Sequence, residues 1–435
     1  MRPGALLRHP FASFRGHAAM LGLAAVLIFP AAGCARRETL VQRGNVEKIL
    51  HRSVGHELAD LDPHLATQTS DYHVLSALFE GLVSEDPADL HPVPGVAESW
   101  DTSPDCTVFT FHLRSGARWS NGEPVTARDF LLSFKRVLSP SLAAENAAQL
   151  YILRGAEEFH TGKTPDFSTV GVEALDDRTL RLTLRHPSAV FLSMLNDEPW
   201  FPVHIPTIAG HGPVARRGNP WTRPSAFVGN GPFNLKEWST NHRIVVTRSP
   251  TYWDREKVRL REIHFYPFEP DAEERAFRAG QLHVTDALPP AKIDRYRRSA
   301  PGLLKVDPLL GTYFYRINTR IPALSDARVR LALSLAVDRK AIVGRVLQGS
   351  QIASSSFTPS GIAGYEPPDE AKTDPKAARA LLAEAGYPGG KGFPPVELLY
   401  NSSETHRQIA EAVQEMWRQE LGITTRLLNM ENTSV

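Results

Sequence analysis

The segment from His51 to His64 carries the densest group of side chains that could bind a metal ion. Its three histidines and three acidic residues are His51, His56, Glu57, Asp60, Asp62 and His64. Imidazole and carboxylate groups on one face of a helix or strand would suit zinc. These six share no such face, however, and Asp62-Pro63 is a turn signal. We therefore interpret them as polar loop residues and predict no metal site.

The common catalytic motifs are absent from the sequence. There is no HExxH, because Asp60 stands where a second histidine would follow His56-Glu57. The run 386–391 superficially resembles a phosphate-binding loop, but Gly392 replaces the Ser or Thr that would hold magnesium. Neither GxGxxG nor GxSxG occurs, and no side chain is singled out as a nucleophile. This favours a binding protein, although a secreted hydrolase with paired carboxylates stays open.

Length and composition describe a large globular protein of several domains. At about 150 residues per domain, 435 residues predict two or three domains. Apolar residues make up 42% and charged residues 22%, which is ordinary for a globular chain. The 34 prolines favour strands, turns and long ordered loops over a helical bundle. The formal net charge is +1, so no basic excess indicates a nucleic-acid-binding protein.

The first 33 residues have the layout of a signal peptide. Three arginines and no acid precede an apolar run over 18–32, which is shorter than the roughly 20 residues of a transmembrane helix. Ala31-Ala32-Gly33-Cys34 resembles a bacterial lipobox, with Ala31 in place of the usual Leu. We expect cleavage before Cys34 and its lipidation; the alternative is a soluble exported protein with an inert Cys34. If Cys34 is acylated, Cys106 has no second cysteine with which to form a disulfide. Stability must then come from a large core and not from disulfides.

Hydrophobic periodicity predicts helices and strands that alternate along the chain. Helices are expected over 70–82 and 126–138, in two segments capped by Ser325 and Asp338, and over 375–386 and 403–421. Strands are expected over 109–113, 180–184, 244–246 and 396–400. The predicted class is therefore mixed α/β in several lobes.

An ordered series of short blocks carries a resemblance to a known family. The blocks are Leu61–His64, Leu78–Leu82, Pro94–Trp100, Phe111–Arg114, Trp119–Phe130, Asn230–Phe233, Tyr252–Asp254, Tyr315–Asn318, Asp326–Arg330, Leu381–Gly386 and Tyr400–Ser403. Together they resemble the family-5 extracellular solute-binding proteins of ABC importers, most of all the periplasmic oligopeptide-binding proteins. We interpret Trp100, Trp119 and Phe130 as core and turn residues, and Gly95 and Gly122 as turn glycines.

The resemblance implies a mixed α/β, two-lobed clamp of the periplasmic-binding-protein kind (type II-like), with an extra subdomain in the first lobe. Residues 1–33 would be the signal peptide, 35–80 and 205–306 the base of lobe I, 81–204 the family-specific subdomain, and 307–435 lobe II. Relatives continue past the position of Val435, so lobe II is expected to be incomplete. For that reason no residue is assigned to the ammonium group of a bound peptide.

Both lobes would contribute ligand contacts, by the same resemblance. Thr67, Gln68 and Thr69 would form a strand-like contact from lobe I, and Thr312, Tyr313 and Phe314 would face the cleft from lobe II. Asn146 stands where relatives often have an aromatic residue and would leave a more open or polar pocket. The alternative for each is an ordinary surface residue.

Asn401 and His406 are expected to lie at the carboxylate end of the ligand. His406 falls in the first turn of the last predicted helix, where unpaired N–H groups and the helix dipole favour an anion. In oligopeptide-binding relatives the matching histidine helps to hold a peptide carboxylate. The alternative is a solvated histidine at a helix start.

The function that the resemblance implies is the capture of short, extended peptides between two lobes and their delivery to a membrane permease, without catalysis or a cofactor. Its partners would be short peptides and ABC permease subunits, with no nucleic acid. We expect a monomer in the periplasm or cell envelope, held at the membrane by the lipid on Cys34. Two alternatives stay open: a family-5 protein for another solute (cell-wall peptide, nickel complex or haem), and a truncated, non-functional product.

Overall fold

The structure, a computed structural model, describes residues 38–307, 309–362, 365–368 and 372–430, and at positions 69 and 70 the backbone alone. Thr39–Val435 form one compact unit. The predicted signal peptide and Cys34 lie outside the described residues. Within the described ranges, no helix has both the length and the apolar character needed to cross a bilayer.

The strands of the described chain are mostly short. They are β1 Ile49–Ser53, β2 Val83–Glu85, β3 Pro92–Pro94, β4 Ala97–Thr102, β5 Val108–Leu113, β6 Val172–Asp176, β7 Thr179–Thr183, β8 Phe233–Ser239, β9 Arg243–Arg248, β10 Glu262–Tyr266, β11 Val396–Asn401 and β12 Thr425–Met430. All four strands predicted from periodicity are confirmed, as parts of β5, β7, β9 and β11.

Helices alternate with these strands. They are α1 Leu40–Glu47, α2 Thr69–Leu78, α3 Ala127–Val137, α4 Ala156–His160, α5 Phe191–Met194, α6 Ile205–Gly210, α7 Pro270–Arg278, α8 Pro290–Ser299, α9 Pro322–Ser325, α10 Ala327–Leu335, α11 Arg339–Ala341, α12 Pro375–Glu384 and α13 Glu404–Leu421. The predicted cap Asp338 is confirmed, and Thr126, Asp374 and Ser403 cap α3, α12 and α13, since each side chain accepts a hydrogen bond from a backbone N–H of the first turn.

Two predicted helix boundaries are wrong. The helix expected to reach residue 82 ends at Leu78, because Phe79 is extended (φ −130°, ψ 158°). Ser325 does not cap the next helix but ends α9, with its hydroxyl donating to the Pro322 carbonyl at 2.7 Å. Asp326 caps α10 instead, because its carboxylate accepts the N–H of Arg328 at 2.8 Å.

The first sheet has the strand order β1-β10-β9-β8, with β1 parallel to β10 and the other pairs antiparallel. Helix α2 packs on this sheet through Val74, Leu75 and Leu78, all fully buried. These side chains belong to one hydrophobic cluster with Leu235 of β8 and Val246 of β9. Burial of the apolar face of α2 therefore fixes the position of the helix on the sheet, next to the predicted contact at 67–69.

The second sheet, β4-β5-β7-β6, is antiparallel throughout. Its core-facing residues follow the predicted period of two, and α3 covers them with Phe130 and Phe134, both fully buried. Trp119 is buried as expected, whereas Trp100 is half-buried with its ring 6.4 Å from that of Phe111.

A further group of elements follows residue 307. Strands β11 and β12 pair in parallel, and Leu333, Leu382 and Leu421 from three helices share one buried cluster. Three hydrophobic clusters draw on residues up to Leu282, and two others draw on residues from Tyr315 onward. The domain limits at 80/81, 204/205 and 306/307 stay predictions.

The Leu61–His64 block lies in a turn, as expected of loop residues, but its side chains form a buried polar network. Arg136 of α3 binds the Asp62 carboxylate through two hydrogen bonds of 2.9 and 2.5 Å, and both side chains are at most 3% exposed. The same guanidinium donates to Nδ1 of His64 at 2.9 Å, and Nε2 of His64 donates to the Phe201 carbonyl at 3.1 Å. The loop interpretation is wrong for His51, which lies on β1 and is 5% exposed. Sequence spacing could not reveal this burial, because the partners lie more than 70 positions away.

Four of the family blocks meet around Glu80. Tyr252 Oη and Trp253 Nε1 donate to its two oxygens at 2.6 and 2.7 Å. Asn230 exchanges two hydrogen bonds with the Glu80 backbone, at 3.1 and 2.8 Å, and Arg114 lies 3.8 Å above the Trp253 ring. Burial raises the pKa of Glu80 to about 7. These blocks thus join separate parts of the fold.

The two glycines predicted to serve turns behave differently. Gly122 has φ +92° and nothing near its Cβ position, as a turn glycine should. Gly95 is needed instead for close packing, because a Cβ there would lie 2.9 Å from the Gly81 carbonyl oxygen.

Candidate functional site

The lobe I part of the predicted site lies at the start of α2. Gln68 is extended (φ −114°, ψ 138°) and serves as the N-cap, and its N–H donates to Asp71 Oδ2 at 3.3 Å. Thr67 is exposed. Thr69 is already helical, and its side chain lies outside the described residues. The expected strand-like segment therefore ends at Gln68, because the capping box with Asp71 starts the helix one residue later.

Asn146 is placed next to this segment. Its Nδ2 donates to the carbonyl of Ala66 at 2.9 Å, from a 3₁₀ turn that spans Glu145–Ile152. The amide thus fixes the backbone immediately before Thr67. The prediction that Asn146 opens the pocket stays a prediction.

Sequence reasoning missed an acidic group beside α2. Burial, together with the charges of Asp197 and Asp71, raises the pKa of Glu198 to about 7. Burial likewise raises the pKa of Asp197. Asp71 is 6% exposed, and its Oδ1 lies 3.6 Å from Nε2 of His56. The run Asn196-Asp197-Glu198 was the only signal for this group in the sequence, and nothing linked it to Asp71.

In lobe II, the structure brings Tyr313, Asn401 and His406 together. The rings of Tyr313 and His406 lie 4.7 Å apart, and those of Tyr313 and Tyr315 lie 5.7 Å apart. His406 lies in the first turn of α13, as predicted, and its N–H donates to Ser403 Oγ at 3.4 Å. Asn401 ends β11, so the strand and the following helix set the distance between the two side chains.

The hydrogen bond between Asn401 and His406 determines the tautomer of the imidazole. It joins His406 Nδ1 to Asn401 Oδ1. Because an amide oxygen can only accept, Nδ1 must carry the proton. Burial lowers the pKa of His406. The neutral ring therefore leaves Nε2 as an acceptor, and Nε2 becomes a donor only when the ring takes up a second proton.

Thr312 and Phe314 both contact Phe357. The Thr312 hydroxyl donates to the Phe357 carbonyl at 2.7 Å, and the rings of Phe314 and Phe357 lie 4.7 Å apart. Phe314 and Phe357 are 43% and 69% exposed, so they form an apolar surface beside the Tyr313–His406 pair. In the described ranges, no hydrogen bond, ion pair or ring contact joins these lobe II residues to Gln68 or Asn146. We call the group at residues 67–69 and 146 and the group at residues 312–314, 401 and 406 the two half-sites.

One group with metal-ligand chemistry occurs in the described part of the chain. Asp86, Asp89 and His91 lie on the turn between β2 and β3 with their ligand atoms within 4.8 Å of one another. His91 Nδ1 already hydrogen-bonds Asp89 Oδ1 at 2.5 Å, and both side chains are exposed. That internal hydrogen bond accounts for the proximity.

The comparison with known proteins decides the family. The profile of the bacterial extracellular solute-binding proteins, family 5, matches residues 91–435. The chain belongs to this family. It is 38% identical over 404 residues to the periplasmic oligopeptide-binding protein OppA of Escherichia coli strain K12, covering 88% of this chain and 71% of that protein.

Solved structures of family members have the same fold. The structure of the Escherichia coli murein tripeptide-binding protein MppA is 34% identical, with a TM-score of 0.83, covering 89% of this chain and 76% of that one. Haemophilus influenzae OppA in complex with RPPGFSPFR is 30% identical, with a TM-score of 0.82 and the same coverage. The predicted mixed α/β, two-lobed clamp is thereby confirmed.

A second structure of MppA shows that the TM-score depends on how the parts of that protein are arranged. Its unliganded open form has the same 34% identity to this chain but a TM-score of only 0.62, with 89% and 75% coverage. Because the sequence is the same in both MppA structures, the lower score reflects a different arrangement of its parts. This chain is thus less similar to the open arrangement.

Proposed function

We propose that this protein is the substrate-binding component of an ABC importer and captures short peptides in extended form between its two lobes. The observation that carries the proposal is 38% identity to Escherichia coli OppA over 88% of the chain. The likeness to a peptide complex of Haemophilus influenzae OppA gives further support. The protein is a binding component without catalytic activity, and it hands the peptide to permease subunits in the membrane.

The peptide backbone binds the irregular segment at Thr67 and Gln68 from lobe I. Residues next to a helix start leave backbone groups free to pair with an extended ligand. Asn146 holds this segment in place from behind, because it binds the carbonyl of Ala66. Thr69 is the last residue of this contact. From lobe II, Thr312, Tyr313 and Phe314 close over the ligand, and closure excludes the solvent.

The peptide carboxylate binds at His406. A carboxylate only accepts hydrogen bonds, whereas neutral His406 presents an acceptor at Nε2, because Asn401 holds the proton on Nδ1. Binding of the carboxylate therefore requires that His406 takes up a proton, which its burial in the free protein disfavours. The affinity of this subsite accordingly rises as the pH falls.

The cellular setting follows from the N-terminus. Residues 1–33 direct export, Cys34 is acylated, and the protein acts as a monomer attached to the membrane in the periplasm or cell envelope. Intact-mass analysis tests the anchor, because a mature chain that begins at Cys34 without added acyl mass would exclude it. The proposed domains are the lobe I base (35–80 and 205–306), the subdomain (81–204) and lobe II (307–435).

Mass spectrometry of ligands that co-purify with the protein tests the proposed function. Recovery of intact short peptides, with affinities confirmed by calorimetry, is the expected result. Cleavage of added peptides would show a hydrolase instead. The TM-score of 0.83 to the murein tripeptide-binding protein makes a cell-wall peptide the second candidate ligand. Murein tripeptide and an unrelated tripeptide should therefore be compared in the same assay.

A further inference from the structure

A basic indentation lies beside α1 and β1 and shares no lining residue with either half-site. It has a volume of about 300 Å³ and is lined by Gly44, Asn45, Lys48, Ile49, Leu50, Arg259, Leu260 and His283. Its floor is aliphatic and its rim carries two full positive charges. Gly44 lets the helix approach, because a Cβ there would lie 2.5 Å from the Ile49 carbonyl oxygen and 2.8 Å from the His283 ring.

The donors around this indentation are unused. Lys48 and Arg259 are exposed, and in the part of the chain that the structure describes their side chains have neither a hydrogen-bond nor an ion-pair partner. His283 Nδ1 accepts the N–H of His51 at 3.0 Å, so the proton of the neutral ring lies on Nε2. The site thus offers an ammonium group, a guanidinium group and an imidazole N–H.

Charges in the surroundings favour an anion further. Arg43 adds a positive charge on α1, and Arg261 is balanced by Glu47 at 3.2 Å. Glu262 is already paired with Lys236 at 3.1 Å and with His264 at 2.9 Å. The local sum is therefore positive, although the whole chain has a formal net charge of only +1.

The tether to the membrane is short on this side. Four residues separate Cys34 from Thr39, the N-cap of α1, and the five Cα–Cα steps from Cys34 to Thr39 span at most about 18 Å when fully extended. The tether itself contains Arg36 and Arg37. Helix α1 also exposes aliphatic side chains, with Val46 at 78% and Leu40 at 37% exposure. Basic and aliphatic groups side by side are what a phospholipid surface binds.

We propose that the surface formed by α1 and this indentation binds anionic phospholipid headgroups, with Lys48 and Arg259 as the principal contacts. The occupant is the membrane to which Cys34 is attached, so this inference rests on the proposed lipid anchor. Docking of this surface orients the protein on the membrane, and the two half-sites for the peptide take no part in it.

Vesicle sedimentation tests the proposal with the mature chain, residues 34–435, carrying Cys34→Ser, so that neither an acyl group nor the apolar segment 18–32 can bind the vesicles. Phosphatidylcholine vesicles with and without phosphatidylglycerol are compared at ionic strengths of about 0.01 M and about 0.15 M. We expect binding only with phosphatidylglycerol, weakening with salt. Each basic residue near an anionic surface contributes about fivefold in affinity, so Lys48→Glu/Arg259→Glu should lose at least about 30-fold.

Matched variants separate an effect of this surface from an effect of net charge alone. Arg128→Glu/Lys163→Glu makes the same change in net charge at exposed positions outside this surface and should bind like the parent chain. Equal loss in both variants, or binding that does not depend on phosphatidylglycerol, would overturn the proposal. Lys48→Gln/Arg259→Gln, which removes charge without reversing it, should give an intermediate loss.

Free phosphate is the competing source of the same chemistry. If inorganic phosphate, at matched ionic strength, displaced the parent chain from the vesicles and stabilised it but not the Lys48→Glu/Arg259→Glu variant, the site would bind a free anion and the membrane assignment would be wrong. Calorimetry with peptides on the same variants keeps the proposed function separate, because peptide binding should be unchanged when vesicle binding is lost.

Discussion

Two buried histidines should make this protein lose stability in mild acid. Burial, together with neighbouring His264 and His283, lowers the pKa of His51 to about 4, and burial beside Arg136 lowers the pKa of His64 to about 4. The side chains are 5% and 1% exposed. In the unfolded chain both would titrate near 6.5, so the unfolded state binds protons first as the pH falls.

The size of this effect follows from the shifts. A pKa lowered from 6.5 to about 4 corresponds to about 3 kcal/mol per histidine at 1.36 kcal/mol per unit. This stability is fully present above pH 6.5 and is lost progressively as the pH falls towards 4. Between these limits each histidine should contribute about 1.4 kcal/mol per pH unit to the slope of the unfolding free energy.

Urea unfolding of the parent chain and of His51→Gln at several pH values measures this slope. Glutamine can still hydrogen-bond the Tyr266 hydroxyl, which lies 3.0 Å from His51 Nδ1, but it does not titrate. The substitution can lower the unfolding free energy at neutral pH by any amount without affecting this test. Between about pH 6 and pH 4.5, the slope of the unfolding free energy against pH should be shallower in the variant by about 1.4 kcal/mol per pH unit. An unchanged slope would refute the reasoning. His91→Gln is the control, because His91 is exposed and its hydrogen bond to Asp89 raises its pKa, so its removal cannot make the slope shallower.

Three further predictions concern the polar network, the packing and the ligand site. Arg136→Met should lower the unfolding free energy by about 3–5 kcal/mol in urea titrations, because Asp62 would stay buried without its partner, and adding Asp62→Asn should recover part of the loss. Gly231→Ala should cost more than about 2 kcal/mol of unfolding free energy, since its Cβ would lie 2.5 Å from backbone atoms of Leu78 and Phe79. Gly122→Ala should cost only the strain of its positive φ, about 1 kcal/mol, because no atom crowds its Cβ position. His406→Ala should weaken, in calorimetry, a peptide whose carboxylate reaches His406 more than a longer one, and should abolish the gain in affinity at lower pH; equal losses for all lengths would contradict the carboxylate assignment.

Local physical chemistry made several elements predictable. Alternation of apolar residues over 109–113 and 180–184 identified two strands, because successive side chains of a strand point to opposite faces. Asp338 identified a helix start, since a short polar side chain next to a helix binds its free N–H groups. The ordered blocks further predicted the family, which the comparisons confirmed. The site residues stay predictions, although the structure does bring Tyr313, Asn401 and His406 together.

What the sequence could not determine is which distant residues meet. Asp62 and His64 read as polar loop residues because nothing near them in sequence indicates that Arg136 will neutralise the carboxylate inside the core. Glu80 likewise finds Trp253 only after 173 positions of chain have folded back. Periodicity shows that a face is buried but not what covers it, and burial itself sets the pKa of His51, Glu80 and His406. The sequence by itself determined the elements and the family; the tertiary structure decided the partners, and through them the charge states on which stability and ligand binding depend.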